Sequence, residues 1–147
     1  MSRITPKEFQ EYCLTTEKTP TYMIDVHGSF GGAGQPSNIL SRLDHAAKGA
    51  VTEAGELADV LKKHSNYGKP FDKVNFVEEI GDSLWYFAIA LDALGLSFED
   101  AMEVCKKKLE KRYPNGFTQK DALVRNLKVE RKILEEGVAK ASDEDGA

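Results

Sequence analysis

Four carboxylates stand in two matched pairs, Glu53 with Glu56 and Glu79 with Asp82. Each pair is spaced i, i+3, so on a helix both members share a face with Cβ atoms about 5–6 Å apart. The mean position of the two pairs falls between Tyr67 and Gly68, where the glycine reads as a helix stop. With a helix on either side of that stop, both pairs lie at a similar depth below the turn, at about 1.5 Å per residue, on antiparallel neighbours. Four carboxylates then meet across one interhelical groove. Their surroundings are apolar: Ala50, Val51, Ala54, Gly55, Leu57 and Ala58 on one side, and Leu84-Trp85 on the other. Negative charges gathered there repel one another and lose hydration, which a counter-charge, a metal or protonation relieves. A hard divalent cation takes oxygen ligands, and Mg²⁺ leaves positions for water and a substrate phosphate. Formal charge allows two such ions, suited to activating a water and neutralising a leaving phosphate.

Spacing alone leaves other readings open. The same residues fit solvated helix faces with i, i+4 salt bridges, for instance Glu56 or Asp59 with Lys63. A di-iron carboxylate bundle calls for Glu-x-x-His motifs, and no Glu stands three residues before His27, His45 or His64. Iron is therefore disfavoured.

The elements that must carry these residues read as helices throughout, which makes the fold class all-α, a bundle built on an antiparallel helix hairpin. Thr5 as N-cap and Pro6 at the first helical position open a helix to about Thr16. A Gly/Thr/Ser-rich stretch follows to Gln35, with Tyr22–Val26 as a short extended piece. The second helix starts near Pro36-Ser37 with an apolar face at Leu40, Leu43, Ala47, Ala50, Ala54, Leu57 and Leu61, and stops before Tyr67-Gly68. Pro70 and Asp72 restart the chain as a third helix running to Gly95. Ser97 with Asp100 gives a capping-box start to a fourth, reaching Tyr113. Thr118 caps a last, polar helix to about Glu136, and 142–147 read as an acidic tail.

The third helix is apolar nearly all round from Leu84 to Leu91. A helix of that kind lies inside a bundle or under a partner chain. In 147 residues full enclosure is hard to arrange, so a homo-oligomer is expected.

Composition agrees with one globular domain: 41% hydrophobic and 30% charged residues. A net charge of −4 argues against binding nucleic acid through its phosphates. No apolar run approaches the roughly 20 residues of a membrane span, and the N-terminus lacks an apolar signal region. Cys13 and Cys105 read as reduced thiols, which places the protein in the cytoplasm.

The ordered set Glu53-Ala54-Gly55-Glu56-Leu57-Ala58-Asp59, Lys62-Lys63, Tyr67-Gly68-Lys69 and Glu78-Glu79-Ile80-Gly81-Asp82-Ser83-Leu84-Trp85-Tyr86 resembles the MazG-type nucleoside triphosphate pyrophosphohydrolases, whose hallmark is ExxE followed by ExxD. Here 22 residues separate Glu56 from Glu79. Lys108-Leu109-Glu110-Lys111-Arg112-Tyr113-Pro114-Asn115-Gly116-Phe117 is similar to a later segment of that family. The resemblance covers about residues 37–117, so 1–117 is expected to be the catalytic helical domain and 118–147 a C-terminal helix with a disordered acidic tail. It implies an all-α protomer in a homodimer or homotetramer, with Mg²⁺ (Mn²⁺ as a substitute) held by Glu53, Glu56, Glu79 and Asp82 as metal ligands and catalytic residues. The implied reaction cleaves a nucleoside or deoxynucleoside triphosphate between its α and β phosphates, giving a monophosphate and pyrophosphate. One of the four acids, or Glu78 beside them, orients the attacking water. Lys63, Lys108, Arg112 and Tyr113 are the expected substrate contacts. Cys105 stands where the family pattern expects an amide.

Two alternatives accompany this expectation: hydrolysis of phosphoribosyl-ATP or another nucleotide pyrophosphate, and a non-catalytic oligomeric helical adaptor. The Gly28–Gly34 stretch lacks the Lys-Ser/Thr of a P-loop and reads as a linker, with a nucleotide lid carrying Phe30 as the lesser reading. Trp85 and Tyr86 read as core rather than base contacts, and His45 and His64 as surface or capping residues.

Overall fold

Helix boundaries follow the caps that the side chains supply. A computed structural model describes residues 3–18 and 39–144. The Gly28–Gly34 stretch, Tyr22–Val26 and the expected start at Pro36-Ser37 lie outside the described residues. Among the described residues there are six helices and no strand: α1 (Pro6–Thr16), α2 (Ile39–Tyr67), α3 (Lys73–Ala93), α4 (Phe98–Arg112), α5 (Gln119–Leu123) and α6 (Leu127–Glu144). None is long and apolar enough to cross a membrane. The chain divides into two compact units, Met1–Leu94 and Gly95–Ala147.

In the first unit α2 and α3 form the expected antiparallel hairpin, and α1 packs on α3. Thr5 and Glu8 close a capping box at the start of α1, with Thr5 N–H donating to Glu8 Oε2 at 2.8 Å. Gly68, at φ +64°, turns the chain out of α2 in a conformation that penalises other residues. His64 Nδ1 donates to the Lys69 carbonyl at 2.8 Å, so His64 is a capping residue. Asp72 then caps α3 by accepting from Asn75 N–H at 3.0 Å.

The face that α2 buries differs from the apolar stripe expected of it. Ser41, Ala46, Gly49 and Val60 are buried, whereas Leu40 and Leu61 remain about half exposed and Ala47 and Ala54 are exposed. Small residues allow close helix approach, so the hairpin interface runs along them. Gly49 is the tightest point, since a Cβ there would lie 2.0 Å from Tyr86 Cε1. α3 contributes Ala88, Ile89 and Ala93 to this core. Among the described residues, Phe76, Trp85, Tyr86, Ala90 and Leu91 of this helix are half-buried, while Val74, Val77, Ile80, Leu84 and Phe87 are exposed.

One ion-pair network ties the three helices together. Arg42 on α2 donates through Nε and Nη2 to Glu17 at the end of α1 (2.9 and 2.7 Å) and through Nη2 to Asp92 on α3 (2.6 Å). These bonds raise the Arg42 pKa further above its ordinary value.

In the second unit α4 packs on α6. Ser97 and Asp100 form the expected capping box. The single polar helix expected after Thr118 is instead two. α5 stops at Leu123, and Asn126 restarts the chain by accepting from Val129 N–H at 3.2 Å. α6 then continues through Glu144, three residues into the segment read as a tail. The break lets Arg125 and Arg112 converge on Glu130, which is 5% exposed. Hydrogen bonds from Arg112 first, and from Arg125 second, hold the Glu130 carboxyl well below the usual range, at about 2.

A group lowered in the folded state stabilises above its unfolded pKa, and that stabilisation disappears as pH falls through the folded value. Glu130→Gln is therefore expected to lower the unfolding midpoint at pH 7. The gap to the native chain should close between about pH 4.5 and about 2. Helical circular dichroism through urea titrations at several pH values measures this; a gap of constant size would disprove it.

Candidate metal centre

The hairpin brings three of the four expected acids into one cluster. Carboxylate oxygens of Glu53, Glu56 and Glu79 lie within 4.8 Å of one another. Glu79 is buried, Glu53 half-buried and Glu56 exposed, so the cluster grades from interior to solvent. Asp82 is not among those three. It sits one turn beyond Glu79 on α3, lines a cleft together with Glu53, and its charge acts on Glu53.

Burial pushes the Glu53 carboxyl above its ordinary value, and hydrogen bonding with Glu79 and the charges of Glu56, Asp82 and Glu79 add to the shift. Two adjacent carboxylates resist simultaneous ionisation unless they share a proton or a cation. Asn75, one turn before Glu79 on α3, donates Nδ2–H to Glu79 Oε1. That contact leaves Glu79 Oε2 for another partner and limits the rotation of its carboxylate. The i, i+4 spacing of Asn75 and Glu79 was readable in the sequence, but only the structure puts an amide donor on that oxygen.

The donor set fits a hard cation. Ligands at about 2.1–2.4 Å from Mg²⁺ or Ca²⁺ place oxygens no more than roughly 5 Å apart, and the oxygens of these three groups lie within 4.8 Å of one another. No histidine or cysteine belongs to the cluster, which disfavours the softer transition metals.

Three of the four expected substrate contacts, Lys63, Arg112 and Tyr113, have partners close by in their own unit. Lys63 pairs with Asp59 at 2.8 Å, and the charge of Glu56 also raises its pKa. On α4 in the second unit, Lys108 is half-buried beside the groove between α4 and α6. Arg112 gives Nε and Nη2 to Glu130, with its guanidinium 5.8 Å from the Tyr113 ring centre. Tyr113 ends α4, its ring 5.4 Å from that of Phe117. Glu78 is exposed.

Residues 43–117 match the family model of the MazG nucleotide pyrophosphohydrolase domain. The chain belongs to the MazG family. No curated protein and no solved structure matches it. The MazG match takes in all four acids and the cationic residues above, and spans parts of both units. It leaves out α1, α5 and α6. Membership implies a pyrophosphohydrolase, a hydrolase of phosphoric anhydrides. MazG proteins are typically dependent on divalent metal, and among the described residues the acidic cluster on α2 and α3 is suited to hold one.

Proposed function

We propose that this MazG protein hydrolyses nucleoside or deoxynucleoside triphosphates to the monophosphate and pyrophosphate, with Mg²⁺ held by Glu53, Glu56, Glu79 and Asp82 and Mn²⁺ able to replace it. The observation that carries the reading is the convergence of Glu53, Glu56 and Glu79 oxygens within 4.8 Å. Bound Mg²⁺ would neutralise phosphate charge and lower the pKa of a coordinated water.

The chain's own side chains do the rest. Glu79, buried and bonded by Asn75, gives a fixed oxygen. Glu53, whose carboxyl is held above its ordinary value by burial and the neighbouring acids, would be favoured in its charged form by a bound cation. Glu56 and Asp82 are the exposed members, on the side open to substrate. One of these acids, or Glu78 beside them, takes a proton from the water that attacks the α-phosphorus. The bond to the α–β bridging oxygen breaks, and pyrophosphate leaves with that oxygen. Lys63, Lys108, Arg112 and Tyr113 are proposed as substrate contacts; for the last three the support is that the MazG match extends over them.

The proposed working form is a homodimer or homotetramer. Two features support self-association. Leu40, Ala47, Ala54 and Leu61 repeat every seven residues along α2 with Leu43, Ala50 and Leu57 between them, the pattern of a helix-pairing seam, and they are exposed or half-buried. The outer side of α3 adds Val74, Val77, Ile80, Leu84 and Phe87. We assign residues 1–117 to the catalytic segment and 118–147 to an extension. Two free cysteines, one buried and one exposed, suit a reducing cytoplasm.

The test is pyrophosphate release from a panel of canonical and modified nucleoside triphosphates and phosphoribosyl-ATP, with Mg²⁺, with Mn²⁺ and with EDTA. Release from triphosphates with either metal, abolished by EDTA, is the expected result. Turnover confined to phosphoribosyl-ATP would move the assignment to that reaction. A folded chain that binds no Mg²⁺ by calorimetry and turns over nothing would leave the adaptor.

A further inference from the structure

Directly along α3 from the acidic cluster lies a cleft of about 350 Å³ lined by Thr16, Glu53, Asp82, Trp85 and Tyr86. That volume is within the range of sites that hold small organic molecules. Its two ends differ in chemistry. Glu53 and Asp82 make one wall anionic and shared with the cluster, while Trp85 and Tyr86 make the other aromatic. Trp85 and Tyr86 follow Asp82 by three and four residues, so the rings lie one helical turn from the carboxylates on the same side of α3.

The aromatic wall is built in place rather than packed away as core. Trp85 is half-buried, and its Nε1–H donates to Thr16 Oγ1 at 2.8 Å. The Thr16 hydroxyl in turn donates to the Cys13 carbonyl at 2.8 Å, so the hydroxyl is oriented to receive the indole. Tyr86 stands perpendicular to Trp85, with ring centres 5.0 Å apart. The His45 ring meets both edge-on at 6.2 and 5.6 Å, so this histidine belongs to the ring cluster rather than to the surface. Tyr86 lies against α2 where Gly49 has no side chain. Rings fixed from three helices present a π-face at little entropic cost.

We infer that this cleft holds the nucleoside end of the substrate, its base stacked on the Trp85–Tyr86 corner while its phosphates lie at the carboxylates. The inference rests on the nucleotide reading above and adds to it the residues that grip the base. It gives α1 a role: Thr16, outside the MazG match, fixes the stacking indole. Stacking favours every base through its π-face, so the grip is a broad one.

Trp85 is the chain's one tryptophan, so its fluorescence reports this site alone. With Mg²⁺ present, an α,β-methylene nucleoside triphosphate should quench it, and inorganic tripolyphosphate, which has phosphates and no base, should not. Trp85→Ala should raise KM for triphosphates about 5- to 100-fold with kcat little changed. Inhibition by tripolyphosphate should be unaltered, and Trp85→Phe, which keeps a ring but loses the Thr16 bond, should recover most of the loss. Equal quenching by tripolyphosphate, or an unchanged KM in Trp85→Ala, overturns the inference while the hydrolase reading stands. A native chain that releases pyrophosphate from no triphosphate and shows no quenching overturns both. If the alanine variant does not fold, the native chain decides: quenching by the methylene nucleotide and not by tripolyphosphate supports the inference, and equal quenching by both, or by neither, overturns it.

Discussion

Glu79→Gln is expected to lower pyrophosphate release by about three orders of magnitude while leaving the helical content intact. Charge stabilisation by a bound metal contributes several kcal/mol to a phosphoryl transition state, and about 1.4 kcal/mol corresponds to a factor of ten in rate. Glutamine keeps the shape of the side chain and an oxygen able to accept from Asn75, so packing around this buried position should survive. What it removes is the charge.

The same substitution should have the opposite effect on the stability of the metal-free chain. Burial, together with Glu79, Glu56 and Asp82, holds the Glu53 carboxyl above its ordinary value. A carboxylate raised in the folded state costs stability above its folded pKa and returns it as pH falls below the unfolded one. Metal-free native protein should therefore unfold at lower temperature than Glu79→Gln at pH 7, and the difference should shrink on mild acidification. Adding Mg²⁺ reverses the order: a ligand at 100 times its Kd stabilises by about 2.7 kcal/mol, and the variant should gain little of this. Glu56→Ala, at an exposed position, should lose turnover to a similar degree without disturbing the core. Rate assays with thermal unfolding plus and minus Mg²⁺ measure all of this. Native turnover and a native Mg²⁺ response in Glu79→Gln would remove the buried acid from the centre.

Gly49→Ala is expected to destabilise the first unit by roughly 1–2 kcal/mol and to displace Tyr86. Two effects oppose each other. Alanine is favoured over glycine inside a helix by about 1 kcal/mol, while forcing an extra carbon into a packed interface costs about 1–3 kcal/mol. Packing wins here because the new Cβ would fall 2.0, 2.2 and 2.3 Å from three atoms of one ring, too close for a small adjustment. The ring must leave, and with it goes its edge contact with His45 and Trp85. Gly55, six residues on in the same helix, is the internal control. A Cβ there meets nothing within 4 Å, so Gly55→Ala should be neutral or stabilising by up to about 1 kcal/mol. Urea midpoints separate the two, and near-ultraviolet dichroism reports the movement of the rings. Equal or higher stability in Gly49→Ala would mean that the interface is looser than its spacing implies.

Local chemistry made much of this protein readable before any tertiary structure. Thr5 with Glu8, Asp72 with Asn75 and Ser97 with Asp100 begin helices through contacts three residues long, and such contacts depend on little else. The stop at Gly68 and the i, i+3 spacing of the acids put both pairs on facing helices by arithmetic alone. Which face α2 buries was another matter. The leucine and alanine stripe has the stronger periodicity, but close approach to α3 selects the small residues Ala46 and Gly49, and no helical wheel contains the partner helix. The break at Val124–Asn126 and the pairing of Arg112 with Glu130 likewise depend on two segments meeting. The same holds for the bond from Trp85 to Thr16, which spans 69 residues. Caps and spacings belong to the chain itself; the buried face, the partner of an arginine and the walls of a cleft exist only once distant segments are packed together.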